Sequence, residues 1–246
     1  MNELKIQAIV LEARDSKEAD RKLALFSCEL GQIWATIKGV KKPKAKLAGV
    51  SQPFCFAEFL LSKKSDFYTV INASVIENFF NVTSDFDKYI IATAMLEFCR
   101  KTIKENDPSL NLFVLLAKCL KQLEYGEANP MAVLIKFLLE GLACVGYSIT
   151  TNTCACCGSD GLLEYGASYN FDRGGLICKK CAAVVDSLSL TSQEQAIIKN
   201  IAASDAASLG RLKFAGRDGL VGVISVLAKQ FRLYTGEELT TIKDYI

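Results

Sequence analysis

The sequence predicts an α+β protein in three parts: a small five-stranded β-barrel, an all-α helical bundle, and a cysteine-rich insertion within the bundle. Three observations lead to this prediction. Apolar residues alternate in short runs over residues 1–78, they recur at helical spacing over residues 79–150 and again after residue 190, and two Cys-x-x-Cys pairs lie between the helical segments. Half of the 246 residues are hydrophobic, which is enough to bury a sizeable core.

Residues 1–78 contain five short runs that are typical of strands. Gly31 and the pair Ser65-Asp66 are turn residues that separate some of these runs. Five short strands in a segment of this size suggest a small barrel or sandwich, and a closed barrel of the OB type fits best. We therefore predict an OB-type nucleic-acid-binding domain over residues 1–78. The runs lie near residues 4–11, 23–28, 33–37, 54–61 and 67–71.

Between the third and fourth runs lies a basic segment, residues 38–46, which we call the lysine loop. It contains five lysines and no acidic residue, and Gly39 and Pro43 argue against regular structure. Charge runs are more often simply solvated, but lysines on an OB barrel would neutralise phosphates without reading base sequence. We predict that this loop contacts DNA, with Arg14 and Arg21 as weaker candidates. The loop lysines are Lys38, Lys41, Lys42, Lys44 and Lys46.

Aromatic residues of the barrel offer a second mode of nucleic-acid contact. Trp34 and the phenylalanines of this segment have ring faces on which bases could stack. On a barrel strand, however, such side chains more often face the core. Both interpretations are therefore open for Trp34.

Residues 79–246 are predicted to form the helical domain. Apolar residues recur every three or four positions in each segment, and Pro130 occupies the favoured first position of a helix. Thr191 and Glu194 have the spacing of a capping box. The predicted helices begin at Thr83 or Ser84, at Ser109, at Pro130 and at Thr191, and a last one spans residues 218–234.

Four cysteines have the spacing of a metal site. Cys154 and Cys157 form the first pair, and Cys178 and Cys181 form the second. Twenty residues separate Cys157 from Cys178. Two such pairs supply four thiolates, which close a tetrahedral shell around zinc and leave no position for a substrate. We predict a structural zinc finger over residues 152–184, held by metal because the segment is rich in glycine and poor in large apolar residues.

Other interpretations of the cysteines are open. They could form disulfides, or they could be buried without metal. The chain begins without an apolar signal segment and has no apolar run near the ~20 residues of a membrane span, which predicts an intracellular, cytoplasmic protein in which disulfides are rare. Cys156 would be a spare thiol, with a redox pairing to Cys154 or Cys157 as an alternative. The remaining cysteines lie in apolar stretches and are predicted to be small buried side chains.

The sequence argues against the enzyme classes that share these features. The chain contains no histidine, so the His-x-Glu pattern of zinc deaminases is absent. It also lacks the Gly-x-x-x-x-Gly-Lys-Ser/Thr loop of ATPases. We therefore expect a non-enzymatic protein: either a DNA-binding protein or a zinc-stabilised adaptor in which DNA binding is incidental.

Several local patterns, taken in order, resemble the RecO family of bacterial recombination mediators. The N-terminal patterns are Ile9–Leu11, Glu18–Arg21, Leu25-Phe26, Gly31, Ile33–Gly39, Lys41–Lys44, Leu47, Gly49 and Gln52–Phe54. Later patterns are Phe137–Tyr147 leading into Cys154–Gly158, and Phe171 with Gly174-Gly175 ahead of the second cysteine pair. Two departures stand out: the basic loop has lysines where the family often has arginines, and Cys156 blurs the first cysteine pair.

The resemblance implies an OB domain, a helical domain and an inserted zinc finger. It also implies binding of single- and double-stranded DNA, strand annealing, and loading of recombinase onto strands coated by single-stranded-DNA-binding protein. The implied partners are RecR and the acidic C-terminal tail of that coating protein, and the implied location is the bacterial cytoplasm near the nucleoid. A receptor for the tail needs an apolar pocket rimmed by a cation, and the resemblance suggests Lys136 and Phe137.

Overall fold

A computed structural model of the chain describes residues 2–160 and 167–246. The residues cluster into two compact units. The first consists of Met1–Tyr89 with Met95–Leu120, and the second of Ile90–Ala94 with Lys121–Ile246. Residues 161–166 of the predicted zinc finger lie outside the described residues.

The first unit contains a closed barrel of five strands. Neighbouring strands follow the order β1-β2-β3-β5-β4, and β1 closes the barrel by pairing with β4. All pairings are antiparallel except that of β3 with β5, which is parallel and short. This confirms the predicted OB-type barrel. The strands are β1 (Asn2–Asp15), β2 (Arg21–Ser27), β3 (Gly31–Ile37), β4 (Cys55–Lys64) and β5 (Phe67–Asn78).

Alternation of side chains explains why these segments form a barrel. Along β3, Ile33, Ala35 and Ile37 are buried, while Trp34 between them is exposed. Successive side chains of a strand point to opposite faces, so one apolar face lines the interior and the other meets solvent. The interior is filled mainly by branched and aromatic residues such as Leu23, Phe59 and Leu61.

Two helices follow the barrel along the chain: α1 (Phe86–Thr102) and α2 (Leu110–Tyr125). The predicted cap of α1 at Thr83 or Ser84 is wrong. Those residues belong to a 3-10 turn, and the Asp85 side chain accepts the N–H of Lys88 instead. Phe113 of α2 packs edge-on against Phe26 and Phe56 of the barrel, at centroid distances of 5.3 and 5.6 Å.

The second unit is built on three further helices: α3 (Pro130–Cys144), α5 (Ser192–Ala203) and α6 (Asp218–Thr235). Pro130 is the first residue of α3, and Asn129 caps it by accepting the N–H of Met131. The predicted capping box of α5 is confirmed, with both reciprocal bonds between Thr191 and Glu194. Both α3 and α5 pack on α6 and on each other, which buries an almost wholly apolar α3.

The cysteine-rich insertion and the residues directly after it contain strands that the sequence did not reveal. They are very short: β6 (Ser168–Asn170), β7 (Gly175–Ile177) and β8 (Leu188–Ser189) form one sheet in the order β7-β6-β8, and a single helical turn, α4 (Lys179–Ala182), follows β7. Runs of two or three residues carry no visible alternation. The predicted division into domains 1–78, 79–246 and 152–184 stays a prediction, since the first compact unit also takes in residues beyond the barrel.

Candidate metal centre and nucleic-acid interface

Folding brings the four predicted metal ligands together. The sulfurs of Cys154, Cys157, Cys178 and Cys181 all lie within 4.8 Å of one another. Those of Cys157 and Cys178 are 3.9 Å apart. Four sulfurs bound to one zinc ion at 2.3 Å would be separated by about 3.8 Å, so this arrangement fits a tetrahedral metal ion.

Backbone turns hold the ligands in place. The N–H of Gly158 donates to the carbonyl of Cys154 at 2.8 Å, which closes the first turn. The second turn is α4, whose Ala182 N–H donates to the carbonyl of Cys178 at 2.9 Å. The two turns are joined because the N–H of Ala155 donates to the carbonyl of Leu176 in β7. Each Cys-x-x-Cys pair is therefore fixed by hydrogen bonds that do not involve the metal.

The surroundings of the clustered cysteines shift the pKa values of their thiols. Burial raises the pKa of Cys154, but backbone N–H groups of Cys178, Cys157 and Cys156 outweigh burial and lower that pKa to about 6. The N–H of Cys178 lies 3.3 Å from the Cys154 sulfur. The Cys178 thiol and burial raise the pKa of Cys181. Four adjacent thiolates repel one another, so full deprotonation of the cluster requires a bound cation.

The remaining cysteines are placed as follows. Cys156 is half-buried and is not among the four clustered ligands that the described residues contain. Cys55, Cys99 and Cys119 are buried, which confirms their prediction as core side chains, whereas Cys28 and Cys144 are only partly covered. Burial raises the pKa of Cys55 to about 11, so this thiol stays protonated at neutral pH.

The lysine loop is well anchored although its lysines are exposed. All five lysine side chains face solvent. Val40 within the loop and Val50 after it are buried in the barrel core, and Leu47 packs against that core. Successive turns link Lys42 to Gly39 and Ala45 to Lys42 through backbone hydrogen bonds of 3.2 and 3.1 Å. The fold thus exposes five lysines on a loop whose backbone is held by the barrel core and by its own turns.

The two arginines differ from the loop lysines in their environment. Arg21 is half-buried: it pairs with Asp15 at 3.2 Å and donates to the hydroxyl of Ser51 at 3.2 Å, so it joins β2 to the 3-10 turn that follows the lysine loop. Arg14 is exposed, pairs with Glu12, and lies over the ring of Trp34 at 5.1 Å. Lys41 also pairs with Asp15, at 2.7 Å. The assignment of all these residues to DNA contact stays a prediction.

Lys136 and Phe137 lie in the interior. Lys136 is 3% exposed, and its Nζ donates to the carbonyls of Ile201 and Ala202 at 3.3 Å and pairs with Glu140 at 2.7 Å. Phe137 is fully buried. The lysine donates to two carbonyls of the last turn of α5, and that of Ile201 also accepts the N–H of Ser204. Their assignment to a partner pocket stays a prediction, and this geometry does not favour it.

Replacing Lys136 with methionine should lower the free energy of unfolding by about 1–3 kcal/mol, because the carbonyls of Ile201 and Ala202 lose a charged donor. Urea denaturation measures the change. Lys121→Met on α2 is the matched control, since Lys121 is exposed and a surface substitution of this kind should change stability by less than about 0.5 kcal/mol. Equal stability of the two variants would contradict a structural role for Lys136.

A pocket of about 330 Å³ lies beside α6, and we call it the α6 pocket. Leu239 and Ile242 are buried in its floor. Arg232 and Lys243 stand at its rim, where both pair loosely with Glu238 at 3.7 Å, and Lys229 lies over the ring of Phe171 at 4.3 Å. Among the side chains that line the pocket, three are cationic and one is acidic, so the side chains make the rim positive.

These features define a class of protein in which an OB-type barrel with a basic loop precedes a helical region that carries a four-cysteine centre. Two family models match consecutive parts of the chain. The model described as Recombination protein O N terminal matches residues 1–79, and the one described as Recombination protein O C terminal matches residues 83–219. The chain belongs to the RecO family, and this supports a role in DNA repair and recombination.

Curated relatives agree with this assignment. The protein named DNA repair protein RecO of Acetivibrio thermocellus is 33% identical over 181 residues, which covers 74% of this chain and 71% of that protein. Its namesake in Caldicellulosiruptor saccharolyticus is 29% identical over 216 residues, covering 87% and 86% of the two chains. That of Frankia casuarinae is 33% identical over 177 residues, covering 71% and 72%. Among the described residues, no helix is long and apolar enough to cross a membrane.

Proposed function

We propose that the protein is a non-enzymatic DNA-binding mediator of recombination that holds single- and double-stranded DNA on its lysine loop. The observation that carries this proposal is the loop itself: five exposed lysines stand on a segment anchored by Val40 and Val50 in the barrel core. Phosphates of either DNA form can meet such a cluster, because lysines act as point charges and need no particular base sequence.

Strand annealing follows from the same electrostatics. Two single strands repel each other through their phosphates, and bound cations screen this repulsion so that the strands can search for register. The same contacts would place the protein on strands coated by single-stranded-DNA-binding protein, where it would help to load recombinase. The location proposed for this work is the bacterial cytoplasm, near the nucleoid.

The metal proposed for the four-cysteine centre is zinc, in a structural role. Zinc prefers four thiolates in tetrahedral geometry, and a complete sulfur shell leaves no site for chemistry. The strands β6, β7 and β8 are only two or three residues long, and although Tyr169, Leu176 and Ile177 are buried, β8 is exposed, so metal binding would supply further folding energy to this segment. The ligands are Cys154, Cys157, Cys178 and Cys181.

The partners proposed are RecR and the acidic C-terminal tail of single-stranded-DNA-binding protein. For the tail, the α6 pocket has the chemistry that the buried Lys136 and Phe137 lack: an apolar floor formed by Leu239 and Ile242 and a positive rim. An apolar terminal side chain would enter the floor, and its free carboxylate would meet Arg232 or Lys243.

Reversing the rim charges with Arg232→Glu and Lys243→Glu should weaken binding of an acidic tail peptide by tenfold or more, because attraction becomes repulsion at two positions. Fluorescence anisotropy of a labelled peptide measures the affinity. Arg211→Glu, an exposed arginine outside this pocket, is the control and should have little effect. Unchanged affinity in the double variant would exclude the α6 pocket as the tail receptor.

Binding and annealing of DNA by the full chain at increasing salt test the proposed function as a whole. Affinity should fall steeply between low and moderate salt, because each phosphate contact releases a counterion. An affinity that hardly changes with salt, or no DNA binding at low salt, would contradict the proposal.

A further inference from the structure

A groove of about 440 Å³ crosses the outer face of the barrel, and we call it the aromatic groove. Its lining includes Trp34, Phe67, Arg14 and Lys22. A volume in this range is typical of clefts that accept a small ligand or one unit of a polymer. The lysine loop begins directly after β3, the strand that carries Trp34, so the groove and the loop are neighbours on one domain.

Strand pairing places Trp34 and Phe67 on neighbouring strands. Ala35 of β3 pairs with Tyr68 of β5 in parallel register. Trp34 and Phe67 each precede these residues by one position, so both point to the opposite, outer face on strands about 4.8 Å apart. Phe67 is 76% exposed and Trp34 is 38% exposed. Both rings are therefore accessible to a ligand, and they line one and the same groove.

Charge is distributed unevenly across the groove. In the strand register, Arg14 of β1 lies opposite Lys22 of β2, and Lys22 lies opposite Thr36 of β3. The two cations therefore lie in one row on the β1–β2 side. Asp66 and Glu105 line the groove as well, and Asp66 immediately precedes β5 on the other side of Trp34. Arg14 is paired with Glu12, and Lys63 lies near Asp66 and Glu105, so Lys22 gives the β1–β2 side its clearest attraction for a phosphate.

We infer that the aromatic groove accepts an unpaired nucleobase of a single strand, stacked on Phe67 and on the face of Trp34 that Arg14 leaves uncovered, with the adjoining phosphate toward Arg14 and Lys22. This inference rests on the proposed DNA binding and adds selectivity to it. Bases of a duplex are stacked on their neighbours and cannot enter, whereas the lysine loop accepts phosphates of either form. The groove thereby gives the protein a preference for single-stranded over double-stranded DNA.

The experiment compares Phe67→Ser with Phe86→Ser, a phenylalanine of similar exposure that does not line the groove. The probes are an oligothymidylate of about 20 nucleotides and a duplex of the same length. Stacking of one base contributes a factor of about 5 to 150 in affinity, so Phe67→Ser should weaken single-strand binding by about fivefold or more. Duplex binding should stay within twofold, and Phe86→Ser should change neither.

Fluorescence supplies an independent readout because Trp34 is the single tryptophan of the chain. Oligothymidylate should quench it in the unaltered protein, and the duplex should quench it much less. The inference is wrong if DNA binds in a salt-dependent manner while Trp34 emission and the single-strand preference are insensitive to Phe67→Ser; the proposed function would then still stand. Absence of any DNA binding would overturn both.

Discussion

Replacing Cys178 with serine should abolish stoichiometric metal binding and unfold the cysteine-rich segment. The Cys178 sulfur is one of the four clustered ligands. The backbone N–H of residue 178, which also contacts the Cys154 sulfur at 3.3 Å, is unchanged in the variant, so the test removes the thiolate alone. Zinc contributes about 10–16 kcal/mol of apparent binding free energy in isolated zinc-finger peptides near neutral pH, and this energy is also folding energy. Metal analysis of the purified protein, combined with limited proteolysis and thermal melting, measures the loss.

Cys156→Ser is the matched control for this substitution. Cys156 lies between two ligands in the chain yet is not one of the four clustered sulfurs, so the variant should retain one zinc ion per chain and its melting temperature. A Cys178→Ser protein that kept its metal would contradict the assigned ligand set. One that stayed fully folded but lost DNA binding outright would contradict the division between a structural metal centre and a DNA-binding barrel.

Replacing all five lysines of the lysine loop with alanine should abolish strand annealing and flatten the salt dependence of single-strand binding. Each phosphate contact contributes about −0.7 to the slope of log affinity against log salt for single strands, so five contacts contribute up to about −3.5. The fold should persist, because the lysines are exposed and the anchors Val40 and Val50 are unchanged. A salt titration of binding and an annealing assay measure both effects.

The control variant removes five positive charges outside the lysine loop. If net charge alone mattered, this control would lose as much affinity as the loop variant, and the proposed interface would be wrong. Retained partner binding by the loop variant, with annealing lost, distinguishes a DNA-binding mediator from an adaptor in which DNA binding is incidental. The control replaces Lys104, Lys118, Lys121, Lys199 and Lys213 with alanine.

Elements with a long local pattern could be predicted from the sequence. The barrel strands show alternation over five or more residues, and the helices carry caps such as Asn129-Pro130 and the Thr191–Glu194 box that act within one turn. The cap of α1 was misplaced because Thr83, Ser84 and Asp85 are all good capping residues in succession. The strands of the cysteine-rich segment were missed because two or three residues show no period.

The candidate site residues also differ in whether their role could be predicted from the sequence. The metal ligands were visible because Cys-x-x-Cys spacing is a local constraint, and the structure brings those four sulfurs together. The burial of Lys136 was not visible, because its partners Ile201 and Ala202 lie on a distant helix. The exposure of Trp34 could have been inferred, since it alternates with the apolar residues Ile33 and Ala35 on β3.

The sequence by itself determined the kinds of chemistry available to this protein: four thiolates at metal-ligand spacing, five lysines without an acid, and no histidine. Only the tertiary structure decided which side chains meet. The parallel pairing of β3 with β5 sets Trp34 beside Phe67, and the packing of α3 against α5 turns Lys136 inward. The physical reason is that local spacing follows from backbone geometry, whereas contacts between distant segments depend on how the whole chain buries its apolar surface.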